Sequence, residues 1–157
     1  SCISHCDFAY NHPAGSLGKK LLLTADDLMI PIGNYTLIKP ETNLKDLIAA
    51  ITKDGMGVGF VEDPYHHGEM IGLITDGDLR RGLETNSSKK WEHLKATDFM
   101  TSKPLTIQKD CLAIDALQIM EKNIKGQISV LPVLDSNNNK ELLGFLRLHD
   151  LIQAGFT

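Results

Sequence analysis

The apolar positions of the chain fall into a pattern that is written twice. Leu44, Leu47, Ile48 and Ile51 stand at i, i+3, i+4 and i+7, and Ala113, Ala116, Leu117 and Met120 repeat that spacing. Each set therefore lies on one face of a predicted helix. A short apolar run follows each helix, Val58-Gly59-Phe60-Val61 and Ile128-Ser129-Val130-Leu131, and predicts a strand. Next comes a polar turn, Asp63-Pro64-Tyr65-His66-His67-Gly68 in the first block and Asp135-Ser136-Asn137-Asn138-Asn139 in the second, with the composition of a hairpin connection. A second strand then runs into Gly72-Leu73-Ile74-Thr75-Asp76-Gly77-Asp78-Leu79 or Gly144-Phe145-Leu146-Arg147-Leu148-His149-Asp150-Leu151, and a helix closes each block.

A third match precedes these two. Ala25-Asp26-Asp27-Leu28-Met29 returns as Ala96-Thr97-Asp98-Phe99-Met100, each a helical turn ending in Met, followed by a Pro-containing extended stretch, Ile38-Lys39-Pro40 or Pro104-Leu105-Thr106-Ile107. The three offsets are 96 − 25 = 71, 113 − 44 = 69 and 144 − 72 = 72, so they differ only by loop-sized amounts. Three matches in one order make this a duplication. A block of about 60 residues has a marginal core on its own. The expected fold is therefore α/β (α+β), with two β-α-β-β-α repeats related by a pseudo-two-fold axis and packed through their sheets. Ser87-Ser88-Lys89-Lys90 reads as an exposed linker.

Composition changes this picture little. The 157 residues are 42% hydrophobic and 23% charged, as in an ordinary globular protein. A net charge of −4 argues against a non-specific nucleic-acid partner, and no apolar run reaches membrane-spanning length. Three cysteines are too few and too odd for a secreted disulfide framework, which makes a reducing cytoplasm the expected compartment. The chain opens on Ser1 and is expected to be a piece of something longer.

The candidate chemistry sits where each second strand meets its helix. Two roles fit Thr75 and Asp78, three residues apart. They suit a capping box that starts the helix. They also suit a ligand site, in which amides at the helix start and the Thr75 hydroxyl hold phosphate while the Asp78 carboxylate accepts from ribose hydroxyls. Gly72 and Gly77 would let a ligand approach the backbone. In the second block Arg147 stands where the first has a hydroxyl, offering a fixed charge to phosphate or carboxylate, or else lying at the surface of a strand end.

Gly72 through Asp78 resembles the motif of the CBS family: glycine, two apolar residues, Thr or Ser, two more residues, then Asp. The resemblance covers roughly residues 24 to 157, with Arg147 as the departure. It implies a CBS pair that binds an adenosine nucleotide or another ligand in the cleft between its repeats, with Thr75, Asp76, Asp78, Arg81, Arg147, His149 and Asp150 as candidate ligand residues. It also implies self-association as a dimer, with apolar residues of the closing helices, Leu79 to Leu83 and Leu148 to Ile152, left to cover.

Residues 7 to 23 read as a loop around His12-Pro13 with Gly15 and Gly18, then a short apolar run. His12, Pro13, Gly15, Leu17 and Gly18 are similar to the end of the sugar isomerase (SIS) domain in bacterial arabinose-5-phosphate isomerases, where such a stretch leads into a CBS pair. Thr75 through Arg81 and His149-Asp150-Leu151 also look like that subfamily. The resemblance implies interconversion of ribulose 5-phosphate and arabinose 5-phosphate on the way to Kdo and lipopolysaccharide, carried out by a tetrameric parent in which His12 is a catalytic candidate. Histidine suits proton transfer near neutral pH. No cofactor is required in that reading. The ligand implied is the pathway product CMP-Kdo, whose carboxylate would suit Arg147, or else AMP or ATP. The implied domains are 1–23, the end of the isomerase domain; 24–86, the first repeat; 87–94, a linker; and 95–157, the second repeat. The alternative is a stand-alone adenosine-nucleotide-binding adaptor.

Other constellations fail on spacing. Cys2, His5, Cys6 and His12 lack paired zinc-ligand spacing. Gly15-Ser16-Leu17-Gly18-Lys19-Lys20 is too short for a P-loop, and Asp76 and Asp78 lack the further ligands of a calcium loop. No metal is expected, and His66-His67 with Glu69 reads as a solvated hairpin tip. Since His12 has no second catalytic group beside it, the chain by itself should not turn over ribulose 5-phosphate; turnover by contaminant-free protein would overturn this.

Overall fold

A computed structural model of the chain describes residues 13–34, 37–53, 55–123, 126–135, 137 and 140–156, though not the side chains of residues 13–17 and 34. His12, Cys2, His5 and Cys6 lie outside them. The described residues pack as two units, those within 32–105 and 135–142, and those within 13–31, 106–134 and 143–156.

In the first unit, β2 (Val58–Glu62) and β3 (Met70–Thr75) form an antiparallel hairpin, with Val58 opposite Thr75 and Val61 opposite Gly72. Strand β4 (Thr101–Ser102) adds to the far edge of β3, placing Thr101 opposite Leu73. Ile38 bridges to the outer side of β2, donating its amide to the Phe60 carbonyl and accepting from the Glu62 amide, 2.8 Å each. Helix α3 (Leu44–Thr52) starts at Asn43, whose side chain accepts from the Asp46 amide at 2.9 Å, and buries Leu47 and Ile51. Helix α4 (Asp76–Thr85) leaves β3 directly and buries Leu79. The four-residue turn α5 (Ala96–Phe99) packs Phe99 over Gly82, where a Cβ would strike the Phe99 ring. The core is Ile38, Leu47, Ile51, Val61, Ile74, Leu79, Ala96 and Phe99. Residues Ser88–His93 form an exposed 3₁₀ turn, where the Trp91 indole donates to the Asn86 carbonyl.

The second unit repeats this plan. It holds α1 (Pro13–Leu22), the turn α2 (Ala25–Leu28), β1 (Ile30–Pro31), β5 (Ile107–Gln108), α6 (Ala113–Glu121), most of β6 (Val130–Asp135) and of β7 (Glu141–Arg147), and α7 (Leu148–Gln153). The sheet order is β1-β7-β6-β5, with β1 antiparallel to β7 and β5 parallel to β6. All four apolar residues of the repeated helix, Ala113, Ala116, Leu117 and Met120, are buried. They meet Leu131, Val133, Leu146, Leu148, Leu151 and Phe156 in one core.

The packing units cut across the sequence repeats. The Ala-x-Asp-x-Met turn that opens the first repeat packs in the unit of the second: the Ala25 amide donates to the Cys111 carbonyl at 2.8 Å, and Ile30 pairs with Phe145. The turn that opens the second repeat packs in the unit of the first, with the Ala96 amide on the Thr42 carbonyl at 2.9 Å. Each turn delivers a Met and a short strand to an open hairpin edge at a glycine. A Cβ on Gly72 would lie 2.7 Å from both the Thr101 carbonyl oxygen and Met100 Sδ, and one on Gly144 would clash with the Ile30 carbonyl and come within 2.9 Å of Met29 Sδ.

Two local expectations shift. Ile48 is 39% exposed, so the inward face of α3 is narrower than its spacing suggests. Of the apolar residues expected to leave a face on the closing helices, Leu79, Leu148 and Leu151 are buried and Leu83 packs on its own core, leaving Ile152 exposed. No helix among the described residues is long and apolar enough to cross a membrane.

Alanine at Gly72 or Gly144 should destabilise the chain by about 1–3 kcal/mol, because the obstructing carbonyl belongs to the backbone and cannot rotate away. At roughly 2–4 °C per kcal/mol this is a clear fall in melting temperature. Gly18→Ala, in α1 with open space around the Cβ position, should instead be neutral or stabilising by up to about 1 kcal/mol. Thermal melts of the three variants check the contrast.

Candidate functional site

The candidate residues divide between the units: Thr75, Asp76, Asp78 and Arg81 in the first, Arg147, His149 and Asp150 in the second. In the first unit β3 ends at Thr75, the N-cap of α4. The Asp78 amide donates to the Thr75 hydroxyl oxygen at 3.3 Å, while Asp78 Oδ2 accepts from the Thr75 amide at 3.0 Å and from its hydroxyl at 3.1 Å. This much is helix capping. Asp27 and Asp98 accept the N-cap amides of their own turns in the same way, each at 2.8 Å.

The other oxygen distinguishes Asp78. Its Oδ1 accepts from Arg81 Nη2 at 2.6 Å and lies 3.4 Å from the Thr101 hydroxyl, brought in by β4. The guanidinium folds back over the helix start, so that a Cβ on Gly77 would sit 3.3 Å from Arg81 Nη1. The Asp78 side chain is 11% exposed and that of Arg81 is 64% exposed. An ion pair so open to water contributes about 0–1 kcal/mol, so Arg81 is held loosely.

Three amides at the helix start already have partners within the protein. The Thr75 amide is used by Asp78, the Asp78 amide by Thr75, and the Asp76 amide donates to the Gly57 carbonyl at 3.1 Å. Gly57 has φ +71°, and a Cβ there would also strike the exposed Asp76 carboxylate. Gly72, expected to admit a ligand, admits Met100 and β4 instead. What remains is a carboxylate flanked by the Thr75 and Thr101 hydroxyls and covered by one arginine, a set suited to hydroxyl groups and one negative charge.

The same junction in the second unit carries different chemistry. The Leu148 amide donates to the Ser129 carbonyl at 2.9 Å, matching the Asp76–Gly57 bond. Arg147 replaces the capping hydroxyl and binds Asp150 through two bonds, Nε to Oδ2 and Nη2 to Oδ1, both 2.8 Å. Its side chain is 24% exposed, so it is neither a free surface group nor an uncommitted charge. Ile30 stands where the first unit has Thr101, and His149 is exposed at the second position of the short helix α7.

Sequence reasoning missed Thr101 and Gly57. Thr101 directly follows the repeated Met100, and the offset pairing it with Ile30 was readable, but its approach to Asp78 needs the pairing of β4 with β3. At the hairpin tip, ligand atoms of Asp63, His66 and Glu69 lie within 4.8 Å of one another. His66 is exposed while Asp63 and Glu69 are half-buried, and the Tyr65 amide on the Asp63 carboxylate holds that carboxyl below its ordinary range. Burial raises the Cys111 thiol, with Asp115 and Asp110 adding to the effect, so it is a poor nucleophile at neutral pH.

Comparison with known proteins agrees with this architecture. Residues 96–156 match the family model described as CBS domain. The chain is 36% identical over 150 residues to arabinose 5-phosphate isomerase KdsD of Francisella tularensis, covering 96% of this chain and 43% of that protein. It is 36% identical over 149 residues to the KdsD of Pseudomonas aeruginosa, covering 95% and 43%. It thus spans less than half the length of these relatives. Among solved structures, CBSX2 of Arabidopsis thaliana in complex with AMP superposes with a TM-score of 0.67 at 25% identity, over 83% of this chain and 94% of that one.

Thr75→Ala removes both the acceptor for the Asp78 amide and a donor to its carboxylate, and should cost about 1 kcal/mol, whereas Thr75→Ser should cost much less. Urea denaturation of the two variants measures the difference.

Proposed function

We propose that this chain, which has the CBS-pair fold and a CBS domain at residues 96–156, is the ligand-sensing module of a longer arabinose-5-phosphate isomerase. Similarity to the isomerases along about 95% of the chain supports the parent. In that parent, residues 1–23 end the catalytic domain, His12 serves ribulose 5-phosphate/arabinose 5-phosphate exchange on the route to Kdo, and the protein is a cytoplasmic tetramer. The module itself regulates. It self-associates through helices that leave Ile48, Ile119 and Ile152 exposed, and sedimentation showing monomer alone at high micromolar concentration would count against this.

One observation carries the ligand assignment: the Asp78 carboxylate stands between the Thr75 and Thr101 hydroxyls at the end of β3. A carboxylate accepts from a vicinal diol while neighbouring hydroxyls complete the network, which favours a ribose-bearing ligand. The ligand is a ribonucleotide or nucleotide sugar. CMP-Kdo answers to pathway feedback, and AMP or ATP answers to the AMP complex of CBSX2. Because Arg147 is engaged with Asp150, it meets a ligand anion only by giving up that pair. The second reading is a stand-alone adenosine-nucleotide adaptor, favoured by the match to nearly the whole of CBSX2. The mass of the native gene product separates the two.

The test is a thermal-shift panel of CMP-Kdo, CMP, AMP, ATP and arabinose 5-phosphate. A ligand at 100 times its dissociation constant stabilises the fold by about 2.7 kcal/mol, which at roughly 2–4 °C per kcal/mol raises the melting temperature by roughly 5–10 °C. The shift should vanish in Asp78→Ala and survive in Arg147→Ala. A panel without any shift, or a shift that persists in Asp78→Ala, rules out the first-unit site.

A further inference from the structure

We infer that Arg81 is a displaceable occupant of the Asp78 site and the group that makes the site select charged over uncharged ribose ligands. The inference rests on the reading that Asp78 takes ribose, and it names what decides which ribose compound is accepted.

Three observations lead to it. The first is the division of labour on the carboxylate. Oδ2 is committed to the helix cap through two bonds from Thr75, so a ligand hydroxyl must use Oδ1. The strong partner of Oδ1 is Arg81 at 2.6 Å, the Thr101 hydroxyl being farther off at 3.4 Å. A ribose hydroxyl therefore takes Oδ1 in competition with Arg81.

The second is the occupation of the helix start. The amides of Thr75, Asp76 and Asp78 all have partners in the protein, and Asp76 and Asp78 place two carboxylates in the first turn. Those two carboxylates oppose an anion at this end of α4, and a cation beside them offsets that repulsion. Arg81, lying over Gly77, is a cation already in place.

The third is mobility of the right kind. Arg81 is 64% exposed and bound through a single nitrogen, so it can swing off Oδ1 into water while the Asp78 carboxylate, 11% exposed, keeps its bonds from Thr75. The second unit supplies the contrast, because Arg147 grips Asp150 through two bonds and is 24% exposed. The two junctions share a backbone plan, yet only the first has an arginine that a ligand can easily replace.

The exchange runs in one order of contacts. A ribose hydroxyl takes Asp78 Oδ1, Arg81 is released, and the freed guanidinium pairs with the phosphate of the same ligand. A nucleoside displaces Arg81 and gives it nothing in return. A nucleotide displaces it and repays the lost pair with a stronger one.

The experiment is calorimetric titration of the 157-residue chain and its Arg81→Gln and Arg81→Lys variants with adenosine against AMP, and cytidine against CMP. Arg81→Gln should bind the nucleoside about two- to fivefold more tightly, since the competitor is gone. It should bind the matching nucleotide about tenfold more weakly, since the phosphate has lost its partner. Arg81→Lys should restore most of the nucleotide affinity. A purely structural role for Arg81 would move both ligands in the same direction, and parallel changes, or none, would overturn the exchange while leaving the site reading intact. Wild-type protein that binds none of the four compounds, or binds them unchanged in Asp78→Ala, overturns the site reading and the exchange with it.

Discussion

Each unit depends on a short turn that comes from the other repeat. A two-stranded hairpin with its two helices leaves a strand edge bare, and about 60 residues do not bury enough surface to compensate. The Ala-x-Asp-x-Met turn closes that edge. Its alanine, fully buried in both copies, brings the backbone close enough for its amide to bond the loop before the long helix, Ala25 to Cys111 and Ala96 to Thr42. Its methionine and the strand after it then lie against a glycine that has no room for a side chain. Duplication thus becomes obligatory rather than decorative, because each copy finishes the other's sheet.

That closure also builds the site. Strand β4 reaches Gly72 and Leu73, which puts Thr101 beside the carboxylate at the end of β3. The matching strand β1 brings Ile30 to Gly144 and Phe145 and offers no hydroxyl. The two junctions share the amide-to-carbonyl bond that ties helix start to first strand, Asp76 to Gly57 and Leu148 to Ser129. They differ in what faces the aspartate that both repeats carry: two hydroxyls and a single-bond arginine in one, a two-bond arginine clamp in the other. One scaffold, used twice, carries a single-bond ion pair at one junction and a two-bond ion pair at the other.

The helix cap and the site compete for the same atoms. Asp78 divides its carboxylate, with one oxygen serving the fold as Asp27 and Asp98 do and the other facing outward to Arg81 and Thr101. The Thr-x-x-Asp motif thus caps the helix through one carboxylate oxygen and leaves the other for the proposed ligand role. The amides of Thr75, Asp76 and Asp78 are spent on the cap and on Gly57, which leaves fewer of them to meet negative charge near this end of α4.

Local pattern by itself determined the repeat, the two amphipathic helices, the hairpins and the strand-to-helix junctions at Thr75 and Arg147. These follow from periodicities of 3.6 and 2 and from turn chemistry, which act within a few residues and so leave their mark on adjacent positions. Family resemblance placed the candidate residues at those junctions. Tertiary structure decided the rest. Which turn closes which sheet depends on pairings such as Ile30 with Phe145, and no local rule ranks that partner above another. Ile48 has the spacing of a core residue yet meets solvent, because the width of a buried helix face is set by what packs on it. Thr101 enters the site, and the Asp76 amide leaves it, through contacts made only when β3, β4 and Gly57 converge; hydrogen-bond capacity is written in the residue types, but its spending is settled by what folding brings within 3.5 Å.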